Sequence, residues 1–229
     1  MQLALVGLIA ACAGEVPGED LDLDAAIPEP DAASGAPTAA DLLARIAICD
    51  PVGGPYSSGG SGPANVAICG FPGAVAWTSE LDIDCDGKRT PECNLATDPA
   101  YMDQTAASDS RGDPLDAAAL PYVVIPGRSA RFDYRAAGLA MGSIVAVVYD
   151  GRVAYGPLGD VGPQASIGEA SYAMAVALGI DPDPRTGGTS DAVRYIAFTG
   201  DSSKLVVIED RNEANSLGID RATLLLSQR

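Results

Sequence analysis

Short apolar runs separated by glycine and proline recur along the chain, and they predict a mainly β fold with few helices. Asp150-Gly151 joins two such runs and is typical of a two-residue hairpin turn. Apolar and β-branched composition predicts strands at residues 64–70, 73–78, 122–125, 143–149, 152–155, 193–199 and 205–208.

Helical patterns are fewer and shorter. Residues 41–48 predict one short helix. In segment 156–179, the first half is rich in Gly and Pro and predicts a loop. Its second half has apolar residues at helical spacing and ends on Gly179, a typical C-cap. Segment 51–63 also predicts a loop, and residues 222–226 fit either a strand or a final helical turn.

The first 40 residues differ from the rest of the chain in composition. Residues 1–12 form an apolar run that ends at Cys12 and resembles a bacterial lipobox, although no Lys or Arg precedes it. An ordinary secretory signal is the alternative. Residues 13–40 are rich in Pro, Ala and acids and predict a disordered linker. We therefore expect an exported protein, lipid-anchored through Cys12 in the bacterial cell envelope or extracellular, with one domain over residues 41–229.

The chain has 31 acidic and 14 basic residues, a net charge of −17 and no histidine. This balance argues against a nucleic-acid partner, because binding phosphates requires basic patches. Seven of the acids lie in the linker, which leaves the domain acidic, with 24 acids against 14 bases. The missing histidine excludes Ser-His-Asp and Cys-His nucleophiles and His-ligated metals. Proton transfer near neutral pH then depends on carboxylates, Lys, Tyr or Cys.

Besides Cys12, four cysteines lie in the first half of the domain: Cys49, Cys69, Cys85 and Cys93. In an exported domain they predict two disulfides, and all three pairings stay open. The paired CxxC spacing of a four-thiolate metal site is missing, so we predict no such site.

Two carboxylates in the second half of the chain are candidates for catalysis. Asp160 lies in a Gly-rich segment after the predicted hairpin, and Glu169 opens the predicted helix. A strand–loop–helix connection of this length can direct both side chains into one cleft. A carboxylate pair flanking the scissile bond is the usual equipment of glycoside hydrolysis. The structural alternative is a turn aspartate and a glutamate that complements the helix dipole.

The stretch GDVGPQASIGEAS at 159–171, with LDIDCDG at 81–87 and YVVIP at 122–126, resembles glycoside hydrolase family 75, the fungal and bacterial chitosanases. The resemblance covers roughly residues 45–210. It implies that Asp160 and Glu169 are the catalytic pair of an inverting enzyme without a cofactor, although the loop between them looks shorter than in fungal members. We favour Glu169 as the acid and Asp160 as the base, and the reverse assignment stays open.

Asp-x-Gly-Pro at 160–163, followed by a helix, resembles double-psi β-barrel proteins such as lytic transglycosylases and expansins. We therefore expect a six-stranded double-psi β-barrel-like catalytic domain, with another α+β barrel or a sandwich as the alternative. Two other functions stay open. One is a lytic transglycosylase-like or other glycan-cleaving enzyme, and the other is a non-catalytic, expansin-like glycan-binding module.

The family implies chitosan as substrate, a polyamine that an acidic cleft would attract, and we expect a monomer. Residues 82–87 also fit the first half of a calcium loop, but Cys93 occupies the place of the required Glu, so we predict no metal ligand and leave calcium binding open. Trp77 is expected in the core, with charge rather than stacking holding the substrate. The candidate substrate-binding residues are Asp84, Asp86, Asp113, Asp116 and Tyr155.

Overall fold

The computed structural model describes residues 35–59 and 62–228, which form a mainly β fold, as predicted. The strands are β1 (Pro51–Ser58), β2 (Ala64–Phe71), β3 (Ala74–Asp84), β4 (Val123–Pro126), β5 (Ile144–Tyr149), β6 (Arg152–Gly162), β7 (Ser166–Ile167), β8 (Glu169–Ser171) and β9 (Thr189–Phe198). The helices are α1 (Ala39–Arg45), α2 (Tyr172–Leu178) and α3 (Arg211–Ser227).

Six strands close a barrel in the order β3, β8, β4, β6, β5, β9 and back to β3. The pairs β3–β8 and β4–β6 are parallel, and the other four pairs are antiparallel. The predicted six-stranded barrel is confirmed, and the sandwich alternative is wrong. The remaining strands extend the sheet beyond β3, because β2 pairs with β3, β1 with β2, and β7 with β1.

The barrel interior is filled by apolar and aromatic side chains. Trp77 is 2% exposed and stacks on Tyr195 with 5.1 Å between ring centroids, so the only tryptophan is a core residue, as expected. A second apolar layer lies outside the barrel, where α3 packs on β5 and β6 and buries Ala214, Ala222 and Leu225. This layer also confirms the helical reading of residues 222–226.

The two segments expected to be loops are largely strand. Residues 51–58 form β1, and β6 continues past Tyr155 to Gly162. Gly156 and Gly159 of β6 do not form a turn. They let residues 121–122 approach the strand closely. A Cβ on Gly159 would lie 2.7 Å from the Tyr122 ring, and one on Gly156 would overlap the Pro121 carbonyl oxygen. Asp160 therefore lies on a strand.

The strand expected at residues 205–208 does not form. These residues make turns after a short 3-10 helix, Asp201–Ser203, and Val206 is 89% exposed. The N–H groups of Val206 and Val207 donate to the Glu213 carboxylate of α3 at 2.9 and 3.2 Å. The Glu213 side chain thus accepts from the backbone N–H groups that would donate to a neighbouring strand if this segment were part of the sheet.

Residues 1–34, which include Cys12, the predicted signal and most of the linker, lie outside the described residues. Helix α1 begins at Ala39, capped by Thr38, two residues before the expected domain start. The disulfides are Cys49–Cys69 and Cys85–Cys93, which fits an oxidising compartment. Within the part of the chain that the structure describes, no helix has the length and apolar character needed to cross a bilayer.

Candidate active site

The two parallel strand pairs bring the predicted catalytic carboxylates to one cleft. Asp160 on β6 pairs with Val124 of β4, and Glu169 on β8 pairs with Asp82 of β3. Strands β4 and β8 are themselves neighbours. The cleft has a volume of about 360 Å³ and is lined by Ile83, Asp84, Asp86, Asp98, Ala100, Met102, Val124, Asp160, Val161, Gly162, Pro163 and Glu169.

Asp160 is 8% exposed, and its carboxylate is held by two backbone donors. Its Oδ1 accepts from the N–H of Ala106 at 2.7 Å and from the N–H of Val161 at 2.7 Å. Burial raises the pKa of Asp160, and these two N–H groups oppose that rise. Hydrogen bonds from backbone N–H groups favour the ionised form of a carboxyl group. The two N–H groups thus favour the carboxylate form of Asp160, while burial keeps its pKa above the usual value.

Glu169 is half-buried and receives no hydrogen bond from a described residue. Burial, together with the charges of Asp82, Asp86 and Asp160, raises the pKa of Glu169 to about 7. The helix-dipole interpretation of this residue is wrong, because Glu169 lies on β8 and the N-cap of α2 is Ser171. The two carboxylates of the pair thus differ in environment, which is how acid and base roles become separated.

Two glycines make room for Glu169. A Cβ on Gly162 would lie 2.7 Å from Glu169 Oε2, so a side chain at this position would displace the carboxylate. Gly168 has φ of +118°, and a Cβ there would lie 2.6 Å from Ser79 Oγ. This glycine lets β8 approach β3 closely enough to pair with it.

Asp84 and Asp86 join Asp160 in a compact acidic group, with one carboxylate oxygen of each within 4.8 Å of the others. Asp86 accepts from the N–H of Met102 at 2.6 Å, and Asp84 accepts from the N–H of Asp86 at 2.7 Å. Burial raises the pKa of Asp86 to about 6 and that of Asp84 well above its usual range. Such spacing would suit a hard cation, but shared protons explain it equally well, so we assign no metal here.

The other predicted substrate-binding residues do not reach the cleft. Asp113 is exposed and lies 3.9 Å from Arg111, and Asp116 accepts backbone N–H groups within its own turn. Tyr155 packs against Gly218 of α3 on the outer side of the barrel. The sequence carries no signal for which of these loops and faces turns toward the cleft, and we leave the three residues out of the site.

Sequence reasoning missed two acids next to the predicted pair. Asp98 is 8% exposed and lines the cleft, but it lies in a segment without regular structure, so no local pattern indicates it. Asp82 pairs with Glu169, and its alternation with Asp84 along β3 is a signal that could have indicated a shared face. Among the described residues, no aromatic side chain lines the cleft.

Two carboxylates that face one cleft in differing environments match the pair that glycoside hydrolases use. Residues 81–217 match the family model described as fungal chitosanase of glycosyl hydrolase group 75, and the chain belongs to this family. It is 35% identical over 135 residues to endo-chitosanase B of Aspergillus oryzae, covering 56% of each protein. It is 37% identical over 121 residues to an endo-chitosanase of Aspergillus fumigatus, covering 48% of this chain and 51% of the relative. The matches span about half the length of these relatives.

Proposed function

We propose that the chain is an endo-acting chitosanase that hydrolyses β-1,4 linkages with Glu169 as general acid and Asp160 as general base. The observation that carries the proposal is the cleft itself, where five carboxylates gather and no Lys or Arg of the described part of the chain is among the lining residues. A polymer of glucosamine carries ammonium groups at mildly acidic pH, and such a cleft would attract it and pair with its amines. The similar Aspergillus proteins are endo-chitosanases, which supports the same substrate.

The environments of the two carboxyl groups support the assignment of roles. Glu169, whose pKa is raised to about 7, remains protonated in the mildly acidic range and donates its proton to the glycosidic oxygen as the bond to the anomeric carbon breaks. Asp160, whose carboxylate accepts two backbone N–H groups, takes a proton from a water that attacks the anomeric carbon from the opposite face. The products are two shorter chains, and the anomeric configuration inverts.

Asp84, Asp86 and Asp98 line the same cleft and would bind substrate amines. An ammonium group entering beside them supplies the positive charge that crowded carboxylates require to ionise together. Substrate binding therefore relieves the electrostatic cost of this acidic group, and fully acetylated chains, which carry no ammonium, would gain much less.

The test follows new reducing ends released from chitosan, peptidoglycan and cellulose by the full chain and three variants. Glu169→Gln and Asp160→Asn are each expected to lower kcat on chitosan by about 10²–10⁴-fold. Asp220→Asn, an exposed change on α3, is the matched control and should keep the parental rate. Activity on chitosan that survives in both cleft variants contradicts the assignment, and cleavage of peptidoglycan but not chitosan contradicts the substrate.

The inverting outcome needs its own measurement, because it comes from the family resemblance. Proton NMR of the first products, recorded before mutarotation, should show the α-anomer released from the β-linked polymer. Initial release of the β-anomer would require a covalent intermediate and would contradict the role of Asp160 as a base acting on water.

We also propose export with a lipid anchor on Cys12, on the basis of the N-terminal sequence and the disulfides of the domain. Mass spectrometry of the protein from its native membrane fraction should find an acylated N-terminal Cys12. Recovery of an unlipidated form that retains residues before Cys12 contradicts the anchor.

We further propose that the domain is a monomer. A single species of monomeric mass in size-exclusion chromatography is expected for residues 41–229.

A further inference from the structure

We propose that Asp82 is a positioning residue that keeps Glu169 protonated until it acts as the acid. The inference rests on the proposed function for its role in catalysis. It rests on the strand pairing alone for the placement of Asp82 beside Glu169. Asp82 is not among the residues that line the cleft cavity, so it acts through Glu169 rather than by touching the scissile bond.

The register of β3 against β8 fixes the placement. Asp82 is the direct partner of Glu169 in a parallel pair, and partners in register point to the same face of a sheet. The N–H of Asp82 donates to the carbonyl oxygen of Gly168 at 2.8 Å, which ties the two strands together one residue from Glu169. Gly168 permits this close approach, because a Cβ at that position would lie 2.8 Å from the carbonyl oxygen of Glu80. The two carboxylates are therefore held side by side by backbone structure.

Other groups face Glu169 from several elements, and all of them disfavour its negative charge or are neutral. Asp84 and Asp86 approach from the end of β3, Asp160 from β6, and the Tyr195 hydroxyl from β9. Strand β4 contributes the apolar side chain of Val124. No Lys or Arg of the described residues forms an ion pair with this group of acids.

Like Asp160, Asp82 can carry a negative charge while Glu169 is still neutral, although burial also raises the pKa of Asp82 above its usual value. It is exposed, whereas Asp160 is buried and Asp84 and Asp86 are partly buried in the compact acidic group. Its charge is the largest of the charge effects that raise the pKa of Glu169, after burial itself. An ionised Asp82 next to Glu169 makes loss of the Glu169 proton costly and so extends the pH range of the acid upward.

The direct test is a carbon-13 NMR titration of the Glu169 side-chain carboxyl in the full chain, without substrate. At the roughly 5 Å between neighbouring strands, removal of one charge in water-like surroundings lowers a pKa by roughly half a pH unit. Asp82→Asn should show at least that decrease, and Asp82→Glu, which keeps the charge, should restore most of the parental value. Asp220→Asn removes the same charge from a distant exposed site and should leave Glu169 unchanged.

Salt separates a charge effect from a structural one. Asp82 is exposed, so 1 M salt should shrink the difference between the parent and Asp82→Asn, because the screening length falls to about 3 Å. A Glu169 pKa that is the same in Asp82→Asn as in Asp220→Asn overturns the proposal. Equal shifts in Asp82→Asn and Asp82→Glu overturn it as well, because they would show a packing effect.

Catalysis gives the second readout. The alkaline limb of the kcat/KM–pH profile on chitosan, which reports the free enzyme, should move to lower pH in Asp82→Asn by the amount seen in the NMR titration. For a shift of half a pH unit, kcat/KM on the alkaline side falls about 3-fold, while kcat/KM in the acidic plateau is unchanged. A limb that stays in place while the NMR value moves overturns the catalytic role of Asp82. Absence of chitosan cleavage in the parent would contradict the proposed function and leave the titration to decide on Asp82.

Discussion

Replacing Glu169 with Gln should lower kcat by about 10²–10⁴-fold and yet make the folded protein more stable at alkaline pH. The reason is that the folded state holds this carboxyl where ionisation is unfavourable, with a pKa of about 7 against a reference of 4.5. Below pH 4.5 the Glu169 carboxyl is protonated in both folded and unfolded chains, so it does not lower the free energy of unfolding. As the pH rises from 4.5 to 7, the unfolded chain releases the proton more readily, so stability is lost across this window.

The structure sets the size of the effect. A pKa raised from 4.5 to about 7 corresponds to about 3 kcal/mol of stability lost above pH 7. Neighbouring carboxylates share this cost and Glu169 is only half-buried, so we expect Glu169→Gln to recover about 1–3 kcal/mol at pH 8. For a domain of this size, each 1 kcal/mol raises Tm by about 2–4 °C.

The assay is urea unfolding with intact disulfides at pH 4.5, 6 and 8, on the parent, Glu169→Gln and the distant control Asp220→Asn. The gain of Glu169→Gln over the control should be near zero at pH 4.5 and should grow steadily toward pH 8. An equal gain at all three values would show a packing effect rather than a titration effect. A variant that is less stable than the parent at pH 8 would refute the account of a strained carboxylate.

Two further predictions concern how the site is built and supported. Gly162→Ala would place a Cβ 2.7 Å from Glu169 Oε2 and 3.0 Å from Val124 Cγ1. We expect kcat/KM to fall more than 10-fold and the free energy of unfolding to decrease by about 1–3 kcal/mol, whereas unchanged kinetics would contradict the close contact. Replacing both Cys49 and Cys69 with Ser removes their disulfide and opens a loop with a sequence separation of 20. The free energy of unfolding measured in urea should decrease by about 3 kcal/mol. The value of kcat should be retained, because neither residue lines the cleft.

Local sequence signals predict part of this fold well. The hairpin turn at Asp150-Gly151 and helix α2 were expected, because each depends on a turn residue or a helical repeat within a few positions. The sequence predicts a loop for the second half of β6, because Gly156 and Gly159 are turn residues in most contexts. In the structure, glycine is needed at both positions because residues 121–122 approach the strand closely. This is a tertiary contact, so it leaves no pattern in the local sequence.

The same distinction applies to the site. Asp160 and Glu169 were indicated by a motif, and the barrel brings both to one cleft. Asp113 and Asp116 are predicted from charge alone, and neither is among the residues that line the cleft. The strand pairing that joins β3 to β8, and with it Asp82 to Glu169, is a non-local contact of the barrel, so sequence alone could not place them together.

Two basic residues of the loop before β4 form ion pairs away from the cleft carboxylates. Residues 85–122 connect β3 to β4 without a helix or strand, and they supply both Asp86 and the Ala106 N–H that holds Asp160. Within this connection, Asp109 accepts from Lys88 Nζ at 2.9 Å and Arg111 Nη2 at 3.0 Å, which lowers the pKa of Asp109 far below its usual range. Lys88 and Arg111 are thus occupied in holding the loop, away from the cleft. The ion pairs and the Cys85–Cys93 disulfide hold this loop, and no Lys or Arg from residues 35–59 or 62–228 lines the cleft. A polyamine substrate would provide the charge that the cleft carboxylates lack.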